Sequence, residues 1–377
     1  MNRIHAALLG AVLPAALLAH ASASAGVESA QDERLDFERQ DDLGLRISHT
    51  VAHLFSDGRA SLQRGDGDER ELPNAFGISS RISASVVDEP RGAARNGARR
   101  VYVSVAGALT AGAPQPDGEV FGPEVKLASP LTGRGVAFVP TDGAPAGFGR
   151  HYDTVQEADE RFLPRLEPPT DWSALAPTGD VTGLSVGDEW DVDASALRCV
   201  LAPVGFLGLD GGDPEVEGET PLDPRMRRAL QSGVGGNLQV LFDGRVDGRA
   251  RARVTERAVD GRDGMVSVVE IEFLLTSASD RTAQLGDAHA LGRGEPDTDV
   301  LSASVEFEIE GKATLRWSPE LRRPTLVDVT AEESIVFTVG LVGESQEVSV
   351  ETLRLSGAFQ SRTAIGDALL LGSSRER

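Results

Sequence analysis

Gly183-Leu184-Ser185-Val186-Gly187 has the spacing of a nucleophile elbow, in which a serine on a sharp strand-to-helix turn attacks a carbonyl beside backbone oxyanion donors. His151 and His289 are available as bases, but nothing in the sequence orients either. The following residues, Asp188-Glu189-Trp190-Asp191-Val192, read as a turn feeding a strand, with Val186, Trp190 and Val192 pointing one way. No alternation of strands and helices surrounds them, so Ser185 is expected to be a chance match. His49 and His53 are the stronger polar candidates. On a helix their i,i+4 spacing would suit zinc, but in a strand they stand about 13 Å apart on one face, too far to share a metal. Alternation with Ile47, Val51 and Phe55 favours the strand, so both are expected on a partly buried or cavity-lining face, with no metal.

Other reactive groups have weaker settings. Cys199 is the single cysteine and lies in Leu197-Arg198-Cys199-Val200-Leu201 with no histidine nearby, which reads as a buried, inert thiol. One cysteine also permits no internal disulfide, so packing must stabilise the chain. Asp66-Gly67-Asp68-Glu69 and Asp210-Gly211-Gly212-Asp213 lack the ligand order of a calcium loop. The sequence contains no Walker A loop, HExxH, CxxC or dinucleotide fingerprint, so no cofactor is expected and catalysis has no visible carrier.

The elements that would hold these residues follow a leader. Arg3 and His5 precede an apolar run from Ala6 to Leu18, and Ala21-Ser22-Ala23 and Ala23-Ser24-Ala25 offer overlapping small-x-small sites. This is the layout of a secretory signal peptide cleaved near Ala23 or Ala25, which implies export to the periplasm or outside the cell. No second apolar run approaches membrane-spanning length, and no cysteine follows the leader to carry a lipid.

The net charge of −22 across 377 residues repels nucleic acids and anionic lipid surfaces, so no nucleic-acid partner is expected. Aromatics are only 5%, which leaves a core of aliphatic and β-branched side chains, the residue types that favour strands.

Residues 26–43 read as an acidic, disordered or loosely attached arm, 44–163 as a loop-rich β region, and 164–235 as a Pro-rich connecting region with a short helix. Residues 236–361 read as a long-stranded antiparallel region and 362–377 as a C-terminal tail. Period-two alternation puts Ile47 to Phe55, Ile82 to Val86, and Val101, Val103 and Val105 on strand faces. Thr154 with Glu157 predicts a helix halted by Pro164, and Asp223-Pro224 predicts another ending at Gly233. Leu238 to Phe242 predicts a strand closed by the Asp243-Gly244 turn. Beyond it, Val269, Ile271, Phe273 and Leu275 share a face, as do Val305, Phe307 and Ile309. After Gly311, separate runs carry Ala313 to Trp317 and then Val327, Val329, Ala331, Ile335, Phe337 and Val339. The predicted fold class is mainly β: a long antiparallel meander, as a half-barrel or sandwich, with one or two short accessory helices.

Arg245, Arg249, Arg251, Arg253 and Arg257 occupy odd positions and would form one row, with Glu306, Glu308 and Glu310 on another strand and Glu270 and Glu272 on a third. Cross-strand pairing of such rows, about 0.2–1 kcal/mol per pair, explains them without a ligand.

Val186-Gly187-Asp188-Glu189-Trp190, set between a loop-rich β half and long alternating strands, resembles segments of exported bacterial β-rich proteins of unknown function. The long-stranded C-terminal third resembles the half-barrel of periplasmic lipoprotein carriers. That resemblance implies a concave apolar face for acyl chains, though no carrier residue transfers by position. The expected site is therefore a non-catalytic apolar surface of Val269, Ile271, Phe273, Val305, Phe307 and Ile309, with a lipid or an envelope protein as partner. An adhesion or scaffold module without a small-molecule site is the alternative.

Overall fold

The computed structural model describes residue 35 and residues 45–71, 77–89, 97–114, 120–121, 124–141, 148–153, 160–177, 183–209, 215–216, 245–260, 264–282, 298–343 and 348–367. The leader, the helix expected from Asp223, the Leu238 to Phe242 strand with its turn, and His289 lie outside them.

The N-terminal strands are β1 (Arg46–Arg64), β2 (Arg70–Glu71), β3 (Gly77–Glu89), β4 (Ala98–Pro114), β5 (Val120–Phe121), β6 (Glu124–Ala128), β7 (Gly135–Pro140) and β8 (Phe148–Tyr152). A connecting segment carries 3-10 turns at Glu160–Arg165, Trp172–Leu175 and Ala194–Leu197, strand β9 (Glu189–Val192) and a single turn of helix, α1 (Arg198–Leu201). Then follow β10 (Glu215–Val216), β11 (Arg245–Asp260), β12 (Gly264–Asp280), β13 (Thr298–Ser318), β14 (Arg323–Gly343) and β15 (Val348–Asp367).

These strands pair antiparallel in the order β10-β6-β4-β3-β1-β15-β14-β13-β12-β11-β9, and among the described residues the two ends of that order are not paired to each other. The pairing of β1 with β15 joins the early and late β regions into one sheet. Long strands with strict alternation leave one face of such a sheet apolar, and this face must be covered. Here the cover is the connecting segment: Phe162, Leu166, Trp172, Leu175, Leu197, Val200, Leu201 and Phe206 belong to the same buried core as the sheet's inner residues. The 3-10 turn at 194–197 packs on β11 and α1 on β14. Trp190 Nε1 donates to the Leu175 carbonyl at 2.8 Å, tying the cover to β9.

Several sequence expectations change. On β1 the buried row is Arg46, Ser48, Thr50, Ala52 and Leu54, while His49 and His53 are exposed and Ile47 and Val51 only half-buried. Phe55 is nevertheless buried, because register shifts bracketing Ser56 in the pairing with β15 mark a bulge, and Phe55 takes a positive φ of 50°. A shift between Ser85 and Val86 skips Val103 of β4, which leaves Val103 exposed and buries Tyr102. Gly311 does not interrupt the chain; it sits inside β13, where an added Cβ would stand 2.3 Å from Ala331 Cβ. The last strand runs to Asp367, past the expected start of the tail. Val186 is exposed, so it does not share the buried face of Trp190 and Val192. Of the Thr154 helix only Glu160–Arg165 is described, and it is a 3-10 turn containing Pro164. Within the acidic arm Leu35 is described, and it is buried and bridged to Leu184.

The charge rows lie on the outer face. Arg251 and Arg253 stand in register with Glu272 and Glu270 of β12 on one side and with Asp191 and Glu189 of β9 on the other. Arg251 Nη2 is 2.6 Å from Glu189 Oε2. Glu306, Glu308 and Glu310 lie one strand beyond β12, and Glu310 faces Glu332 across β14. Arg257 leaves the row: beyond the shift at Val254/Glu256 it is half-buried and donates to the Leu184 carbonyl at 3.2 Å.

Candidate functional site

All six apolar candidates share the inner face. Val269 and Ile271 stand opposite Leu315 and Ala313, and Val305, Phe307 and Ile309 oppose Phe337, Ile335 and Glu333. Together with Phe273 they are between 0% and 4% exposed. The protein's own atoms provide this burial. The face belongs to a core that includes the connecting segment.

At one end of the same face the row turns charged. Arg46 is the register partner of Asp88, and Asp88 that of Arg100. Arg100 Nε and Nη2 grip Asp88 Oδ1 and Oδ2 at 2.7 and 2.9 Å, and its Nη1 donates to the Val204 carbonyl at 2.9 Å. A buried guanidinium thus fastens the connecting segment to β3 and β4. The backbone comes so close that a Cβ on Gly205, which has φ +75°, would lie 2.6 Å from Arg100 Nη1. Burial works against the Arg100 charge, but the attraction and hydrogen bonds of Asp88, with lesser help from Tyr102 and Glu167, outweigh it and raise its pKa. Burial, reinforced by Asp88 and opposed by Arg100, pushes the Tyr102 phenol up to about 12.

Arg46 is bound differently. It is 9% exposed, and its Nε is buried without a hydrogen-bond acceptor among the described residues. Burial lowers its pKa, Asp88 and Asp171 oppose that shift, and Arg323 and Arg100 add to it. Beyond Arg46 the inner row of β1 continues with Ser48 and Thr50, and the Thr50 hydroxyl lies 2.7 Å from that of Thr363 on β15. A polar rim therefore grades into the apolar face.

Glu333 is a separate buried carboxyl group. It interrupts the inner row of β14, is 2% exposed, and accepts the Phe55 N–H at 2.7 Å through Oε1, while Oε2 is buried without a partner. Burial pushes its carboxyl up to about 8, against the Phe55 hydrogen bond and with a contribution from Glu332. Near pH 7 it is mostly a neutral acid that caps the bulge's orphan N–H.

The polar sequence candidates do not converge here. His49 and His53 are on the outer face, where His49 Nδ1 contacts Ser85 Oγ at 2.8 Å. Ser185 sits in a turn: its N–H donates to Asp188 Oδ2 at 2.8 Å, Asp188 N–H donates back to the Ser185 carbonyl at 3.0 Å, and the chain proceeds into β9. The strand-to-helix geometry of a nucleophile elbow is not formed there. His151 is exposed on β8. Cys199 is half-buried against the core, and desolvation, ahead of the charge of Asp171, raises its thiol pKa. Among the described residues no three His, Cys, Asp or Glu side chains gather to hold a metal, and no helix is long and apolar enough to cross a membrane.

Arg46, Asp88, Arg100, Arg323 and Glu333 were missed by sequence reasoning. The signal was present for some: Asp88 extends the Ile82-Ala84-Val86 row, and Glu333 fills the one gap between Ala331 and Ile335. A charge in an apolar register is the pattern to seek.

Fold and site together define a non-closed antiparallel sheet whose apolar face is covered by its own connecting segment and bounded by buried charge. Neither a scan of protein-family models nor a search of curated proteins found a match to the chain.

Proposed function

We propose that the chain is an exported, non-catalytic carrier that takes an apolar ligand, such as a lipid acyl chain, between the inner face of β12–β15 and the connecting segment. One observation carries this reading: a single sheet lays its apolar face against a segment of short 3-10 turns and loop rather than against a second sheet. Among the described residues the backbone pairing of this cover with the sheet is confined to β9 with its preceding turn on β11 and to β10 on β6, so lifting the 3-10 turns between them breaks little ladder, whereas separating two sheets exposes both apolar faces at once. Val269, Ile271, Phe273, Val305, Phe307 and Ile309 would then line the ligand. The resemblance to periplasmic lipoprotein carriers points the same way.

The second reading is an envelope adhesion or scaffold module, and the near-complete burial of those six side chains by the protein's own atoms favours it. Native mass spectrometry of protein purified from its own cell envelope separates the two. The carrier reading expects an added lipid mass, lost when Phe307 is changed to Asp. A protein that emerges empty and shows no uptake of a fluorescent dodecanoate probe belongs to the scaffold class.

A further inference from the structure

We infer that Arg46 is the head-group site of this carrier, and that its ligand is an anionic amphiphile whose carboxylate or phosphate oxyanion pairs with the Arg46 guanidinium at the rim while its chain lies along the apolar face. The inference rests on the carrier reading and narrows it to one ligand chemistry.

The argument starts from an imbalance of partners. A guanidinium offers five N–H donors in a fixed fork and stays charged, so burying one without an acceptor is costly. Arg100 solves this with Asp88 and the Val204 carbonyl. Arg46, 9% exposed against 1% for Arg100, has a buried Nε with no acceptor among the described residues, and the carboxylate that favours it most, Asp88, is already gripped through both oxygens by Arg100. Arg323 lies near enough to add repulsion, and Asp171 supplies attraction from the connecting segment. An oxyanion bridging Arg46 would supply the missing acceptor and relieve the repulsion between the arginines.

The surroundings suit an amphiphile rather than a bare ion. Ser48 and Thr50 follow Arg46 on the inner row of β1, then Ala52 and Leu54, so polarity declines along a single strand face. On β15 the matching row runs from Ile365 and Thr363 through Ser361, whose hydroxyl is buried without a partner, to Phe359 and Leu355. A molecule with an anionic end and a long apolar body has the same order of polarity.

Binding of oleate, oleyl alcohol, lysophosphatidate and inorganic phosphate would be measured by calorimetry on the full chain and on Arg46→Gln and Arg46→Lys. The expected result is that oleate or lysophosphatidate binds the unmodified chain and weakens roughly ten- to hundredfold in R46Q, the loss expected for one charge-assisted contact. R46K should recover part of it, and oleyl alcohol should bind both chains alike. R46Q should also hold or raise the melting temperature of the ligand-free protein, because it removes a buried charge whose Nε lacks an acceptor.

If oleyl alcohol binds as well as oleate and R46Q changes neither, the head-group inference fails and the carrier reading stands. If no amphiphile binds, both fail. Arg46-dependent binding of inorganic phosphate alone would show an anion site but overturn the amphiphile. A ligand-free R46Q that melts far lower would show that Arg46 is a structural ion-pair partner and overturn the inference.

Discussion

Replacing Glu333 with glutamine should change how stability depends on pH in a direction the geometry fixes. The carboxyl is 2% exposed, and its native pKa is pushed up to about 8 from 4.5. A group whose native pKa is raised favours the folded state fully at low pH, and that contribution is lost as pH climbs through the native value. Between about pH 4.5 and 8, folding therefore takes up a proton, and stability falls by about 1.4 kcal/mol per pH unit on account of this group. Over the whole window the loss is roughly 5 kcal/mol. Glu333→Gln keeps an oxygen for the Phe55 N–H and removes the titration. Urea unfolding at pH 5, 6.5, 8 and 9 should give nearly equal stabilities at pH 5. By pH 9 E333Q should exceed the unmodified chain by several kcal/mol. Other carboxylates titrate in both chains and cancel in the difference. Parallel stability curves across that range would refute the reasoning, because they would mean that the carboxylate finds a cation or water in the native protein.

Asp88→Asn should cost about 3–5 kcal/mol, since Arg100 would keep its burial and lose its anion, while the double change Asp88→Leu with Arg100→Met should recover most of that in the same denaturation assay. Gly311→Ala should cost about 1–3 kcal/mol through the clash with Ala331. Adding Ala331→Gly should restore only part, because the Thr330 carbonyl stands 2.4 Å from the same Cβ position. Trp190→Phe should cost about 1–2 kcal/mol by removing the buried bond to the Leu175 carbonyl, and limited proteolysis should then cut the connecting segment faster.

The β class and the long late strands were legible because alternation is local: side chains at i and i+2 share a face wherever the strand ends up. The six apolar positions on β12 and β13 were placed on one face correctly for this reason. What failed was parity. Alternation in β1 has two defensible faces, and the more apolar one, Ile47, Val51 and Phe55, is not the face the sheet buries. The structure covers Ser48, Thr50 and Arg46 instead, because the partners on β15 and β3 set which side faces the core. Bulges in β1 and opposite Ser85 each reset parity by one residue, and nothing in Phe55 or Val103 alone announces them. The charged site was hidden in the same way. Arg46 is far in sequence from Asp88 and Arg100, and the three become a row only when β1, β3 and β4 are laid in register.

By itself the sequence determined that this chain would be mainly antiparallel β, acidic, without an internal disulfide, and held together by aliphatic packing, because composition and period-two patterning act residue by residue. Only the tertiary structure decided that the two β regions close ranks through β1 and β15, that the connecting segment covers their common face, and that Arg46, Asp88, Arg100, Arg323 and Glu333 are buried. Those outcomes depend on hydrogen-bond register between strands distant in sequence, where a one-residue shift exchanges the buried face for the exposed one.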